Sequence, residues 1–358
     1  MRRGLMAWSR EEIAPAVLEQ RVAALVSGMR ARGLDCVLVY TDLTRPAAVS
    51  ALTHFIPYWS NGVLVVCPGS GARLVATLSR RVNDWIQSTS RLDDLVNTLD
   101  LGKGVAMSLP GPRGAALRVG VVDLASLPSG VSAAIHELHP EAKFEDATDL
   151  LGAALAGAGA DAIARRCIAI ARVALAAGTS AAESRQANAV LAAAEGAARR
   201  EGAEEILLAM APDAAIDARL RRIEGGAALG DVFMLQATVA YKGAWVRLGR
   251  TLTAGAPRPW ITEANAWSEQ LVGALAAGAP ASALIDSALP RLPGAEVQAW
   301  RIETARAGLA LAVVDESATP TAQQPLHDSL CTLTLRLRHA EQNWCASTPY
   351  IVGRGAGA

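Results

Sequence analysis

At 358 residues the chain is long enough for two hydrophobic cores. With 51% hydrophobic and 19% charged residues it suits a soluble globular protein, and this composition argues against disorder. Its 34 basic and 34 acidic side chains cancel, so no broad attraction to nucleic acid or to an anionic membrane is expected. In chain order, Ser9-Arg10-Glu11-Glu12 has the form of a capping box, which predicts a helix through about Arg32. Leu18, Val22, Leu25, Val26 and Met29 share one face of it, and Gly33 is its expected stop. Cys36–Tyr40 reads as a buried strand. Gly62–Cys67 and Arg73–Leu78 read as two more, joined by a turn at Pro68–Gly71. Gly69-Ser70-Gly71 lies in that hairpin and does not precede a helix, so it is not read as a phosphate loop. A strand at Arg118–Asp123 and a helical segment at Val131–Leu138 follow.

These elements predict an α/β domain over residues 1–150, an Ala/Gly-rich linker at 151–160 and a second domain over 161–358. In the second domain Asp161 is the expected cap of a helix that ends near Ala177, with Gly178 as its stop. Ser180-Ala181-Ala182-Glu183 is read as a second capping box, opening a helix to about Glu201. Val272–Leu289 reads as helix interrupted at Gly278 and Pro280. Strands are expected at Val297–Ile302, Leu309–Val314, Leu330–Leu337 and Tyr350–Val352.

The five cysteines, Cys36, Cys67, Cys167, Cys331 and Cys345, are scattered and form no C-x-x-C pair, so neither a zinc ribbon nor a redox motif is indicated. Buried free thiols in a reducing compartment are expected. The opening Met1-Arg2-Arg3 lacks the apolar stretch of a secretion signal, and no uncharged apolar run suffices to span a bilayer. A cytoplasmic location follows as the expectation.

Within Gly230–Thr251, the residues Gly230, Asp231, Tyr241, Gly243, Arg250 and Thr251 keep a spacing that resembles the metal-binding hairpin of the pita-bread hydrolases, among them creatinase, aminopeptidase P, prolidase and methionine aminopeptidase. The resemblance implies an α/β (α+β) fold: a creatinase-like N-terminal α/β domain followed by a pita-bread domain. It also implies five metal ligands, two aspartates, a histidine and two glutamates, around a bridged pair of ions. Gln236 and Arg247 stand where the aspartates would be. Local matching puts Ala305 at the histidine, Leu335 at the first glutamate and Cys345, within one residue, at the second; a further family histidine falls near Ala312. A guanidinium cannot ligate a cation and repels one by its own charge. The expectation is therefore no bound metal and no cofactor.

Creatinase, in the same family, works without metal through a histidine. The five histidines here are His54, His136, His139, His327 and His339, and none lies in Pro212–Arg222, where that histidine is expected and where Asp213 and Asp217 stand. His54, in Thr53–Trp59 together with Tyr58, corresponds to a loop that in relatives leans over the active site, often that of a partner subunit. The candidate catalytic residues are His54, Arg247 and Cys345, the last a nucleophile if Arg247 stabilises its thiolate. The candidate ligand-binding residues are Gln236, Trp245, Arg247, Arg306 and Tyr58, with Trp300 as a further lining residue, around a small anion that Arg247 would fork. Against this stands an internal salt bridge from Arg247, for instance to Asp231, Asp315 or Glu316, and a silent core role for Cys345.

Three functional readings remain open. The first is a non-catalytic relative of Xaa-Pro peptidases that binds a small anionic ligand or supports an active paralogue. The second is a metal-independent hydrolase or lyase on a small amide or guanidino compound. The third is an ordinary metallopeptidase. Since such relatives are commonly dimeric, the resemblance implies a homodimer or a heterodimer with an active paralogue, with no nucleic-acid or membrane partner.

Overall fold

A computed structural model describes residues 7–57, 59–155, 162–305, 312–317 and 330–352. The chain forms two compact units, one reaching to Ala162 and the other beginning at Ile163.

The first unit opens with α1 (Pro15–Arg32). The amide of Glu12 does donate to Ser9 Oγ at 3.4 Å, but residues 10–12 form only a turn. The helix starts at Pro15 because proline has no N–H to give an earlier turn and fits only at a helix's first positions. It stops at Gly33 as expected, the N–H of Gly33 reaching the carbonyl of Arg30 and that of Leu34 reaching Met29. Then follow β1 (Cys36–Thr41), α2 (Ala47–Thr53), β2 (Gly62–Cys67), β3 (Gly71–Ala76), α3 (Asn83–Thr89), β4 (Asp94–Asn97), α4 (Leu101–Ala106), β5 (Arg118–Val122), α5 (Ser129–Leu138), β6 (Lys143–Asp146) and α6 (Thr148–Leu155). The strands order as β4-β3-β2-β1-β5-β6. Within that sheet β1 runs antiparallel to β2 and parallel to β5.

Both faces of this sheet are covered. On one, Val37, Val39, Leu64, Val66 and Leu74 pack with side chains of α1, α2, α3 and α6. On the other, Leu38, Val63, Val65, Val119 and Val121 pack with α4 and α5. Leu151, expected to begin a linker, is instead buried in α6 with Ala154 and Leu155. The rest of that expected linker, residues 156–160, and the capping Asp161 lie outside the described residues.

The second unit contains α7 (Ala162–Ala181), α8 (Ala187–Arg200), β7 (Glu205–Ala211), β8 (Val232–Tyr241), β9 (Ala244–Thr253), α9 (Pro259–Ala276), α10 (Ala281–Ala288), β10 (Ala295–Ala305), β11 (Ala312–Asp315), β12 (Leu330–His339) and β13 (Gln342–Ile351). α7 does not stop at Gly178. That glycine is buried inside the helix, where a Cβ would come within 2.7 Å of the Leu235 side chain, so it serves close packing of helix on sheet. Ser180 does not cap either: its hydroxyl donates back to the carbonyl of Ala176, and α8 begins only at Ala187.

The seven strands order as β11-β10-β12-β13-β9-β8-β7. One face is apolar. Cys167 and Ile170 of α7 and Ala194 of α8 pack on Ala237, Val239, Val246 and Leu248, while Trp267 and Leu271 of α9 share a core with Leu333, Leu335, Trp344 and Ala346. Ser268 of α9 hydrogen-bonds Thr348, and Trp344 Nε1 donates to Asn265 Oδ1 at 3.1 Å. Among the described residues no helix is long and apolar enough to cross a membrane.

Candidate functional site

β8 and β9 form the hairpin foreseen in Gly230–Thr251, in the register Val232 opposite Thr253 through Tyr241 opposite Ala244. The turn between them has Lys242 and Gly243 both at positive φ, 46° and 84°, the geometry that a two-residue hairpin of matching twist requires. Gly230 is needed for a different reason: a Cβ there would lie 2.4 Å from the Asp213 carboxyl carbon. Asp231 is held by Arg185 at 2.8 Å and Arg258 at 3.6 Å, and the Arg185 hydrogen bond keeps its carboxyl below the usual carboxylate range.

Arg250 and Thr251 join β9 to β13. Among the described residues the ladder between these strands is a single register pair, Ser347 opposite Gly249. The fully buried Thr251 supplies what the backbone does not, its Oγ1 accepting from the Cys345 amide at 2.8 Å and donating to the Cys345 carbonyl at 3.0 Å. Arg250, also buried, donates through Nη1 to the carbonyls of Gly249 and Ser347, while its Nη2 pairs with Glu269 of α9. The framework residues of the hairpin thus shape a turn, admit a close approach and hold two strands together.

The register decides which other side chains can meet. Side chains alternate between faces along a strand, and residues directly opposite share a face. Gln236, Thr238, Arg247, Ser347, Thr334, Arg301 and Glu303 therefore lie on the face opposite the one covered by helices. The central pair there is Arg247 Nη1 to Glu303 Oε2 at 2.6 Å. The other oxygen of Glu303 pairs with Arg301 Nη2 at 3.1 Å. Glu303, 13% exposed, thus sits between two guanidiniums, and the three groups carry a net positive charge. The Nε of Arg247 is buried with no hydrogen-bond partner among the described residues.

The expected salt bridge from Arg247 does form, but not to Asp231, Asp315 or Glu316. Asp231 is engaged by Arg185, Asp315 accepts from Ser317, and Glu303 takes Arg247 instead. Nothing in the local spacing named Glu303. The alternation in β10, with buried Trp300 and Ile302 against outward Arg301 and Glu303, was the available signal.

Several other expected positions need correction. Trp300 is 6% exposed and packs in the apolar core, so it does not line the polar face. Leu335, matched to a glutamate ligand, is fully buried on the helix-covered face, and its neighbours Thr334 and Arg336 hold the polar side. Cys345 does lie on the polar face, opposite Arg336, but burial pushes its thiol up, against the pull of Arg336. Trp245 follows the same alternation as Arg247, two residues along β9, and is half-buried. His54, a candidate catalytic residue, is packed in the first unit. It ends α2 in the left-handed region, is 5% exposed, places Nδ1 2.8 Å from the Thr89 carbonyl and stacks on Trp8 at 5.6 Å. Tyr58, Arg306 and His327 lie outside the described residues.

The fold-type metal pair asks for oxygen and imidazole donors that converge. Gln236 offers an amide, Arg247 offers only N–H donors and positive charge, and Glu303 has each oxygen held by an arginine. Among the described residues there is no group of three or more His, Cys, Asp and Glu side chains that could hold a metal ion. The described polar face does not fit such a pair.

No protein-family model matches the sequence, and no curated protein matches it. Solved structures do. The aminopeptidase PepP of Pseudomonas aeruginosa is similar with a TM-score of 0.65 at 15% identity, over 96% of this chain and 93% of that one. The X-Pro aminopeptidase of Thermotoga maritima has a TM-score of 0.63 at 11% identity, over 93% and 95%. The prolidase of Pyrococcus horikoshii has 0.59 at 13%, again over 93% and 95%. At such identities the likeness is one of fold, and it runs through both units: the chain has the mixed α/β pita-bread fold of prolidases and X-Pro aminopeptidases.

Proposed function

We propose that this chain is a non-catalytic relative of the Xaa-Pro peptidases that dispenses with the metal pair and binds a small anion on the polar face of its seven-stranded sheet. The observation that carries the reading is the Arg247–Glu303–Arg301 group, two cations to one carboxylate, together with the buried Nε of Arg247, which has no partner among the described residues. A buried donor without an acceptor calls for one, and a guanidinium suits a carboxylate or phosphate oxygen. Every peptide carries such a carboxylate at its C-terminus, so a peptide end is one anion of the right chemistry.

The catalytic alternative is weaker on chemical grounds. Cys345 would need a thiolate, and burial pushes its thiol the other way. The His54 ring is engaged by the Thr89 carbonyl and by Trp8 in the first unit. The reading also carries an expectation of self-association, or of pairing with an active paralogue, which mass photometry of purified and co-expressed protein would test.

Calorimetric titration of the purified protein with phosphate, acetate and a glycyl-proline probe tests anion binding. Arg247→Ala should bind the preferred anion at least about tenfold more weakly, the equivalent of one lost charge-assisted hydrogen bond. Binding that is unchanged in Arg247→Ala would remove the anion site. Hydrolysis of an Xaa-Pro peptide that depends on a stoichiometric, tightly held divalent metal would overturn the reading as a whole.

A further inference from the structure

The first unit holds a pair of thiols that are 31 positions apart in sequence and adjacent in space. Val37 lies opposite Val66 on the antiparallel strands β1 and β2, so the next step of the register sets Cys36 against Cys67. Both side chains enter the same apolar cluster, with Leu38 and Val65, and so point to the same face. The two thiols are close enough for each to shift the protonation of the other. Directly opposed residues on antiparallel strands have Cα atoms about 4.5–5.5 Å apart. That falls inside the window of roughly 4.4–6.8 Å that a disulfide spans.

The two sulfurs are not equivalent. Cys67 ends its strand and is 6% exposed, whereas Cys36 is fully buried. The neighbouring Cys36 holds the Cys67 thiol below the ordinary thiol range; burial opposes this, and Ser70 and Arg73 add to it. Cys36 is pushed well above that range by Cys67 and by burial. The more accessible sulfur, Cys67, is the one that a small oxidant reaches first, with the second sulfur behind it. The remaining cysteines lack this arrangement. Cys331 and Cys345 face Tyr350 and Arg336 across their strands, and burial pushes Cys167 up to about 12.

We propose that Cys36 and Cys67 form a reversible two-electron redox site that closes to a cross-strand disulfide on reaction with hydrogen peroxide. The Cys67 thiolate attacks one peroxide oxygen and the O–O bond breaks. This gives a sulfenic acid on Cys67 and a hydroxide that leaves as water once protonated. The Cys36 sulfur then attacks the Cys67 sulfur, the S–O bond breaks, and the departing hydroxide takes the Cys36 proton as a second water. Two thiols and one peroxide become one disulfide and two waters. A dithiol reductant reverses the change and is itself oxidised to its cyclic disulfide.

The test treats the native protein with excess hydrogen peroxide, quenches it, alkylates it in denaturant and maps the peptides by mass. Of the five cysteines, alkylatable thiols should fall to three, so that two fewer alkyl groups are taken up than by the reduced protein, and one linked peptide pair should join Cys36 to Cys67. Dithiothreitol should restore all five. Cys67→Ser should abolish the link, and the wild-type peptide map gives the answer independently of how well that variant folds. A map in which Cys36 and Cys67 remain separate overturns the proposal, whether both stay reduced, either is over-oxidised, or either joins another cysteine.

Discussion

The two sheets of this molecule solve burial differently. In the six-stranded sheet, β2 is buried at every position and β1 at all but one, because helices lie on both faces. In the seven-stranded sheet, helices cover one face, and the other carries half-buried Gln236, Thr238, Arg247 and Glu303. A strand enclosed on both sides has no position that can change chemical type without cost to the core. A strand with one polar side has every second position available for chemistry. In the β8–β9 hairpin, accordingly, Gly230, Gly243, Arg250 and Thr251 build the structure, while Gln236 and Arg247 stand on the polar side.

The contrast can be tested by truncation. Leu64→Ala in the enclosed sheet should lower stability by about 2–5 kcal/mol, whereas Thr238→Ala on the polar face should change it by about 0.5 kcal/mol or less. Equal shifts in the urea midpoint for the two variants would erase the distinction between the sheets. The join of β9 to β13 should give a middle value. Thr251→Val keeps the shape but deprives the Cys345 amide and carbonyl of their partner, at about 1–3 kcal/mol. Faster amide exchange at Cys345 in that variant would locate the loss, and an unchanged melt would show that the backbone alone holds these strands.

The smallest expected effect concerns acid. Burial pushes the Asp42 carboxyl up, but hydrogen bonds from the Thr44 hydroxyl and from the Thr44 and Arg45 amides outweigh it and hold it below its ordinary value. A carboxyl lowered by folding stabilises the fold above its unfolded value, and that contribution is lost as pH falls through the folded one. Asp42→Asn should therefore flatten the acid limb of the stability profile in the first unit by lowering the neutral plateau slightly, with stability in strong acid nearly unmoved. A steeper limb would contradict the sign.

Much of the fold was legible because its central strands are continuous apolar runs and its first hairpin carries a Pro-Gly turn. The edge strands β4 and β6 escaped, since Asp94–Asn97 and Lys143–Asp146 are short and partly charged. α2 and α4 escaped as well, being short and rich in small residues. β13 was recognised only at its end, because Cys345 and Ser347 between the buried Trp344, Ala346 and Thr348 blur a period-two pattern. In the candidate site, Gln236 and Arg247 could be placed by counting from Tyr241 and Arg250. Glu303 could not, being 56 residues from Arg247 and brought to it only by the strand order of the sheet. The opposed thiols of Cys36 and Cys67 were hidden for the same reason: pairing across strands leaves no mark in local spacing.

The register beyond Ser347 and Gly249 would set Pro349 against Arg247, and proline has no amide to donate. The cohesion between those two strands therefore rests on a hydroxyl and a guanidinium more than on peptide groups. Peptide groups are the same in every sequence, whereas a hydroxyl can be deleted or a guanidinium exchanged by one codon. Mutation can thus loosen or tighten the middle of this sheet in small steps, without redrawing its topology.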